Sequence, residues 1–180
     1  MPRLFVAIDI PDTVRESVAN ICHGVEQARW ADMSTFHLTL QFIGDVDSGT
    51  AEYAALALSE VQAEPFGLAL KGVGFFPPRR DVRVLWVGVD RCPELEALQR
   101  EVCAALSDAG VEGDRRRFSP HITIARFRRP VPQHAVAPFV AAHGLFASAP
   151  FEVSEFHLYS SVLAKGGAVH TIEQSYPLAM

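Results

Sequence analysis

His37-Leu38-Thr39-Leu40 and His121-Ile122-Thr123-Ile124 are the same four-residue phrase written twice in a chain of 180 residues. On a β-strand, successive side chains point to opposite faces. Each phrase read as a strand therefore sends a histidine and a threonine out together. Leu38 and Leu40, with Phe36 before them, turn to the other side, as do Ile122 and Ile124. One tetrapeptide of this kind arises easily by chance. Two copies at matching positions are a different matter.

The match extends outward from the phrases. Phe66 lies 29 residues after His37 and Phe151 lies 30 after His121; Val84 follows His37 by 47 and Val169 follows His121 by 48. Around these marks, periodicity predicts strands at 3–10, 35–43, 66–76, 82–89, 118–126, 151–160 and 168–176. It predicts helices at about 13–28, 50–63 and 93–110, with a weaker one near 133–143 that Pro138 either kinks or restarts. Thr13 and Glu16 suggest a capping box, Tyr53, Leu56, Ala57 and Val61 a second helix's stripe, and Pro93 and Gly110 the limits of the third helix. The order is β-α-β-α-β followed by β-α-β-α-β-β, and internal duplication is the economical explanation. The expected fold class is α+β: a single bilobal domain over 1–180, with repeats at about 3–76 and 82–176. Its two similar lobes, related by an approximate two-fold axis, are each an antiparallel sheet with helices on the outer face. The site would lie in the cleft between them.

Composition narrows the field. The chain is 49% hydrophobic, enough for a real core, and carries a formal charge of −5. Locally the balance reverses. From Gly113 to Pro130 there are six arginines (115, 116, 117, 126, 128 and 129) against Asp114, so 6 − 1 = +5 and the remainder carries −10. That asymmetry points to one anion-facing surface. Cys22, Cys92 and Cys103 have neither disulfide nor zinc spacing, which suggests a reducing compartment. No apolar run reaches the ~20 residues needed to cross a bilayer. A cytoplasmic monomer, away from membranes, is the expectation.

Two imidazoles and two hydroxyls converging across a pseudo-dyad suit cleavage of a phosphodiester. A base must deprotonate the attacking water, an acid must protonate the departing sugar oxygen, and histidine does either near neutrality. Threonine hydroxyls can hold non-bridging oxygens while arginines balance the charge that develops there. Nothing in the scheme needs a metal or another cofactor.

The chain also resembles the two-histidine phosphoesterases, in particular the bacterial and archaeal RNA 2′,3′-cyclic phosphodiesterases, also called 2′-5′ RNA ligases. The resemblance runs through Arg3-Leu-Phe-Val-Ala-Ile-Asp9, Phe36-His37-Leu-Thr-Leu-Gln-Phe-Ile-Gly44, Phe76-Pro-Pro-Arg-Arg80, Arg83-Val-Leu-Trp-Val-Gly88 and Phe118-Ser-Pro-His121-Ile-Thr-Ile-Ala-Arg126-Phe. It implies His37 as proton donor and His121 as proton acceptor, roles that local sequence does not separate. It implies Thr39 and Thr123 as phosphate ligands, Arg126 as a further phosphate contact, and RNA with cyclic phosphate ends as substrate, with reverse 2′-5′ ligation at the same site. Alternatives are another 2′-5′ or cyclic nucleotide substrate, a non-catalytic RNA-end binding module, and a metallohydrolase.

Arg126 raises a difficulty. Five residues after His121, strict alternation points it away from the site, so a bulge or the strand's end must re-aim it. Its counterpart in the first phrase is Phe42, an aromatic suited to a base. Arg115, Arg116 and Arg117 are candidates for RNA contact and Tyr159 for base stacking. His23, His134 and His143 read as surface or packing residues, His157 and His170 as structural residues of the last strands with pairing or lining the cleft as the alternative, and Trp30 and Trp86 as core or cleft wall.

Overall fold

A computed structural model describes residues 3–179. Its elements in chain order are β1 (Arg3–Asp9), α1 (Asp12–Ala19), β2 (Ala28–Trp30), a 3-10 turn at Met33–Thr35, β3 (His37–Asp45), α2 (Ser48–Ser59), β4 (Phe66–Leu68), β5 (Leu70–Phe76) and β6 (Val82–Val89). Then follow α3 (Pro93–Asp108), β7 (His121–Val131), a 3-10 turn at Gln133–Ala135, α4 (Ala137–His143), β8 (Phe151–Val153), β9 (Glu155–Ala164) and β10 (Gly167–Pro177).

Two four-stranded antiparallel sheets result, ordered β10-β9-β1-β3 and β2-β7-β6-β5, with a short β4-β8 ribbon between them. The strands expected at 66–76 and 151–160 are each two strands, broken at Ala69 and Ser154. Each break lets the chain leave the β4-β8 ribbon and cross to the opposite sheet. β5 then pairs with β6, and β9 pairs with β1. With β2 and β10 set aside, the element order β-α-β-α-β-β recurs in both halves, but β5 of the first half completes the second sheet and β9 of the second half completes the first, while β2 adds an edge to the second sheet. The Val84–Val169 spacing has a different outcome: β6 is the inner partner of β7, whereas β10 forms an outer edge.

Alternation on β1 separates core from cleft. Leu4, Val6 and Ile8 join the main core beside Val14 and Val18 of α1, while Phe5 and Ala7 form a second cluster with Tyr159 on the other face. The main core runs unbroken through both lobes. α2 packs on α3, α3 on β3 and β4, and α4 on β5.

Several local expectations shift. α1 begins after Pro11 with no side-chain cap, so the Thr13–Glu16 box is unused, and it ends at Ala19 rather than 28. Beyond it, left-handed conformations at Gly24 and Gln27 turn the chain into β2, a strand too short to show periodicity. On α2 the buried residues are Ala54 and Leu58, while Tyr53 and Leu56 face solvent. This helix is apolar on nearly every side, so its pattern does not set its phase. Pro138 starts α4, and Gly110, at φ 72°, closes α3 as expected.

Candidate active site

The two histidine strands follow one design. From His37 and from His121 the burial sequence is the same: partly buried, buried, partly buried, buried, buried, exposed. The two consecutive buried residues mark an interruption of alternation. In the first sheet Ala7 faces Thr39 and the next residue back, Val6, faces Gln41, leaving Leu40 extra. In the second sheet Trp86 faces Thr123 and Leu85 faces Ala125, leaving Ile124 extra. Each bulge absorbs one residue and restores the sixth to the histidine's face. Arg126 is thereby returned to the side of His121 and Thr123, and Phe42 to that of His37 and Thr39. Phe42 is 48% exposed and its ring centre lies 6.1 Å from that of Phe5 on the cleft face.

Both imidazoles are anchored alike. His37 Nδ1 lies 2.7 Å from the Thr35 carbonyl oxygen and His121 Nδ1 lies 2.7 Å from that of Ser119. A carbonyl only accepts, so each Nδ1 carries the proton and donates it. Each ring therefore offers Nε2 to the cleft, as a base when neutral and as an acid when protonated.

The walls around the pair differ. His37 lies on Phe5, with ring centres 4.8 Å apart, and Phe5 in turn stacks on Tyr159 at 5.1 Å and 5°. His170 meets both His37 and Phe5 edge-on at 5.2 Å. Tyr159, the candidate for base stacking, is thus buried beside Phe5, its cross-strand partner on the same face. His157, also buried, bonds through Nδ1 to Ser175 Oγ at 2.8 Å. In the other lobe Phe76 meets His121 edge-on at 4.9 Å, and Trp86 lies 5.4 Å from Phe76. Trp86 fits only because Gly74 lies under it: a Cβ there would come within 2.3 Å of the indole. Trp30 packs on Phe139, away from this wall.

Burial pushes His37 down to about 4. The Thr35 carbonyl opposes the fall, His170 and Arg15 add to it, and Asp9 opposes it. His121 is also lowered, chiefly by burial and further by Arg126 and Arg116, against the pull of the Ser119 carbonyl. An anion between the rings would raise both.

A second set of residues supports His37. The Arg15 side chain is only 11% exposed and pairs with the Asp9 carboxylate. It also donates to the Met33 carbonyl at 2.6 Å and the Ile10 carbonyl at 3.1 Å. It thereby ties α1 to the 3-10 turn whose Thr35 holds the imidazole. Across the lobes, Gln41 donates to the Asp114 carbonyl at 3.1 Å, and the Asp114 amide donates to the Phe42 carbonyl. Arg116 clamps the Asp114 carboxylate, and Arg115 reaches Glu112 at 3.5 Å. Two of the three loop arginines are thus engaged by acids of their own loop. Phe5, Phe76, Asp9 and Arg15 went unassigned in the sequence, and His170 was given a structural role ahead of a cleft-lining one, because their places depend on cross-strand neighbours. The bulge expected as one way to re-aim Arg126 is present, and the same interruption recurs in the first sheet before Phe42.

Among the described residues, no group of three or more His, Cys, Asp and Glu side chains could hold a metal ion. No helix among them is long and apolar enough to cross a membrane.

Known proteins resemble this chain in sequence and fold. The chain is 34% identical to an RNA 2′,3′-cyclic phosphodiesterase of Archaeoglobus fulgidus over 93% of its own length and 96% of the relative's. It is 32% identical to a longer protein of that name from Geobacillus stearothermophilus, covering 97% of this chain and 56% of that one. Among solved structures, E. coli LigT complexed with 3′-AMP superposes with a TM-score of 0.82 over the whole of both chains at 26% identity. The model of the 2′-5′ RNA ligase superfamily matches residues 11–163, and with that match over most of its length the chain belongs to this superfamily of two-histidine phosphoesterases.

Proposed function

We propose that this protein hydrolyses RNA 2′,3′-cyclic phosphate ends to 2′-phosphomonoesters, using His37 and His121 as its acid–base pair and no metal or organic cofactor. In this reading His121 Nε2 takes a proton from water as the water oxygen attacks phosphorus. The bond from phosphorus to the 3′ oxygen breaks, and protonated His37 delivers its Nε2 proton to that oxygen. Thr39 and Thr123 donate hydrogen bonds to the non-bridging oxygens, and Arg126 balances their charge. With a 5′-hydroxyl in place of water, the same displacement forms a 2′-5′ bond.

The observation that carries this reading is the paired Nδ1 anchor. Two imidazoles locked by backbone carbonyls at 2.7 Å, each beside a same-face threonine, present two Nε2 atoms ready for proton transfer. The depressed pKa of His37 suits the role only when phosphate is bound, because the anion restores the proton the acid must give. Phe42 supplies an aromatic surface for a base, and Arg115 to Arg117 line the approach. We place the protein in the cytoplasm as a monomer, consistent with three free cysteines.

The test is an oligonucleotide ending in a 2′,3′-cyclic phosphate, incubated with protein dialysed against EDTA. Conversion to a single 2′-phosphate product, seen by phosphorus NMR, is expected. A 3′-phosphate would reverse the assigned acid and base. Activity lost on chelation and restored by a divalent ion would overturn the metal-free scheme.

A further inference from the structure

Phe76, Val84 and Arg126 are neighbours in one row across β5, β6 and β7, and Phe76 touches His121. Beyond that row, away from the histidine, the sheet becomes arginine-rich. The turn between β5 and β6 carries Arg79 and Arg80, and Arg83 follows on β6. Opposite them β7 swells: Val84 faces Arg126 while Val82 faces Val131, so β7 spends five steps where β6 spends two. Arg128 and Arg129 ride on that excess. Gln133 Nε2 donates to the Arg80 carbonyl at 3.2 Å, tying the turn to the segment that follows the bulge.

All six arginines (79, 80, 83, 126, 128 and 129) are exposed. Among the described residues none of them takes part in an ion pair, whereas Arg3, Arg15, Arg115 and Arg116 all do. Asp81 is the one acid within these two segments, so they carry 6 − 1 = +5, and the rest of a −5 chain carries −10. An acidic protein that must approach a polyanion needs such a face, because the rest of the chain is net negative and repels it.

We infer that this arginine face is a track for the phosphodiester backbone of RNA, leading outward from His121. The inference rests on the proposed function. It adds a direction: a cyclic phosphate is the 3′ terminus of its strand, so the track receives the nucleotides on its 5′ side. Guanidinium groups match phosphate oxygens in pairs, and contacts of this kind give affinity without reading sequence. The substrate is therefore an RNA strand of several nucleotides rather than a free cyclic nucleotide.

The experiment compares the wild type with a variant carrying Arg79→Gln, Arg80→Gln, Arg128→Gln and Arg129→Gln. Substrates are 2′,3′-cyclic AMP and a short fluorescent RNA with a cyclic phosphate end. For the RNA, kcat/KM is expected to fall by about tenfold or more at low salt, with the slope of log kcat/KM against log salt flattened by roughly 0.7 per lost contact. The mononucleotide should be affected far less. Equal losses on both substrates, or an unchanged salt slope, would overturn the track. Should the wild type cleave neither, the proposed function fails on its own, and fluorescence anisotropy with the same RNA still tests the track. Salt-sensitive binding weakened by the four substitutions upholds it, and equal binding overturns it. Loss of binding to phosphatidylserine vesicles with RNA binding intact would assign the face to membranes and overturn it too. Milder pairs, at 79/80 and at 128/129, serve if the fourfold variant folds poorly.

Discussion

At the scale of single residues, the two histidines are equal in anchor and unequal in surroundings. Replacing either by alanine should lower kcat by roughly 10²–10⁴, with the double variant far short of the product because the pair acts as a unit. Steady-state kinetics decides it, and a wild-type rate in either variant excludes that histidine. The depressed His37 also links stability to pH. Its pKa is near 6.5 unfolded and about 4 folded, so the unfolded chain takes the proton first as the solution is acidified. The stabilisation due to a neutral His37 is complete above 6.5 and is lost as pH falls toward 4. Thermal melts across that window should show a shallower decline for His37→Gln than for the wild type; parallel curves would mean that the group is not depressed. Both histidines, their threonines and the reason for their pairing were legible in the sequence, since alternation alone places His and Thr together. His170 was not. Its edge-on contact with His37 joins the outermost strand of the sheet to the strand at its other edge.

Among the elements, the bulges and the Arg15 tie carry the geometry. The bulge brings Arg126 to the cleft, and Arg126→Gln should weaken transition-state binding by about 1.5–3 kcal/mol, as for a hydrogen bond to a charged group. The loss should appear in kcat/KM for mononucleotide and RNA alike, unlike the loss expected for the outer arginines. The need for such a bulge could be argued from spacing, but its position could not, because pairing partners are not written in the strand itself. Arg15 acts at one remove, through the 3-10 turn that presents the Thr35 carbonyl. Arg15→Gln should lower kcat by up to about 100-fold with little change in KM, the mark of a mispositioned group. Nitrogen chemical shifts of His37 should show Nε2 protonation appearing at neutral pH. An unchanged tautomer and an unchanged kcat would leave Arg15 as packing only.

For the whole molecule, the crossed strands decide how the chain behaves as a unit. β5 completes the second sheet and β9 the first, so neither half can close its own lobe. Fragments 1–79 and 80–180 expressed separately should each be unfolded by circular dichroism, and the intact chain should unfold in one cooperative step. A folded fragment would contradict the shared core. The sequence by itself determined the local content of this protein. Composition set aside a disulfide scaffold, and two-residue periodicity produced the histidine strands, the shared face of each histidine and its threonine, and the doubled pattern of elements. These depend on near neighbours in the chain, and the chain records them. Tertiary structure alone decided which strands pair. The exchange of β5 and β9, the breaks at Ala69 and Ser154, the aromatic floor under His37 and the arginine face beyond His121 all depend on residues far apart in sequence. Strands of similar composition compete for the same edges, and what selects among pairings is the burial of a common core, a property of the whole chain that no local stretch contains.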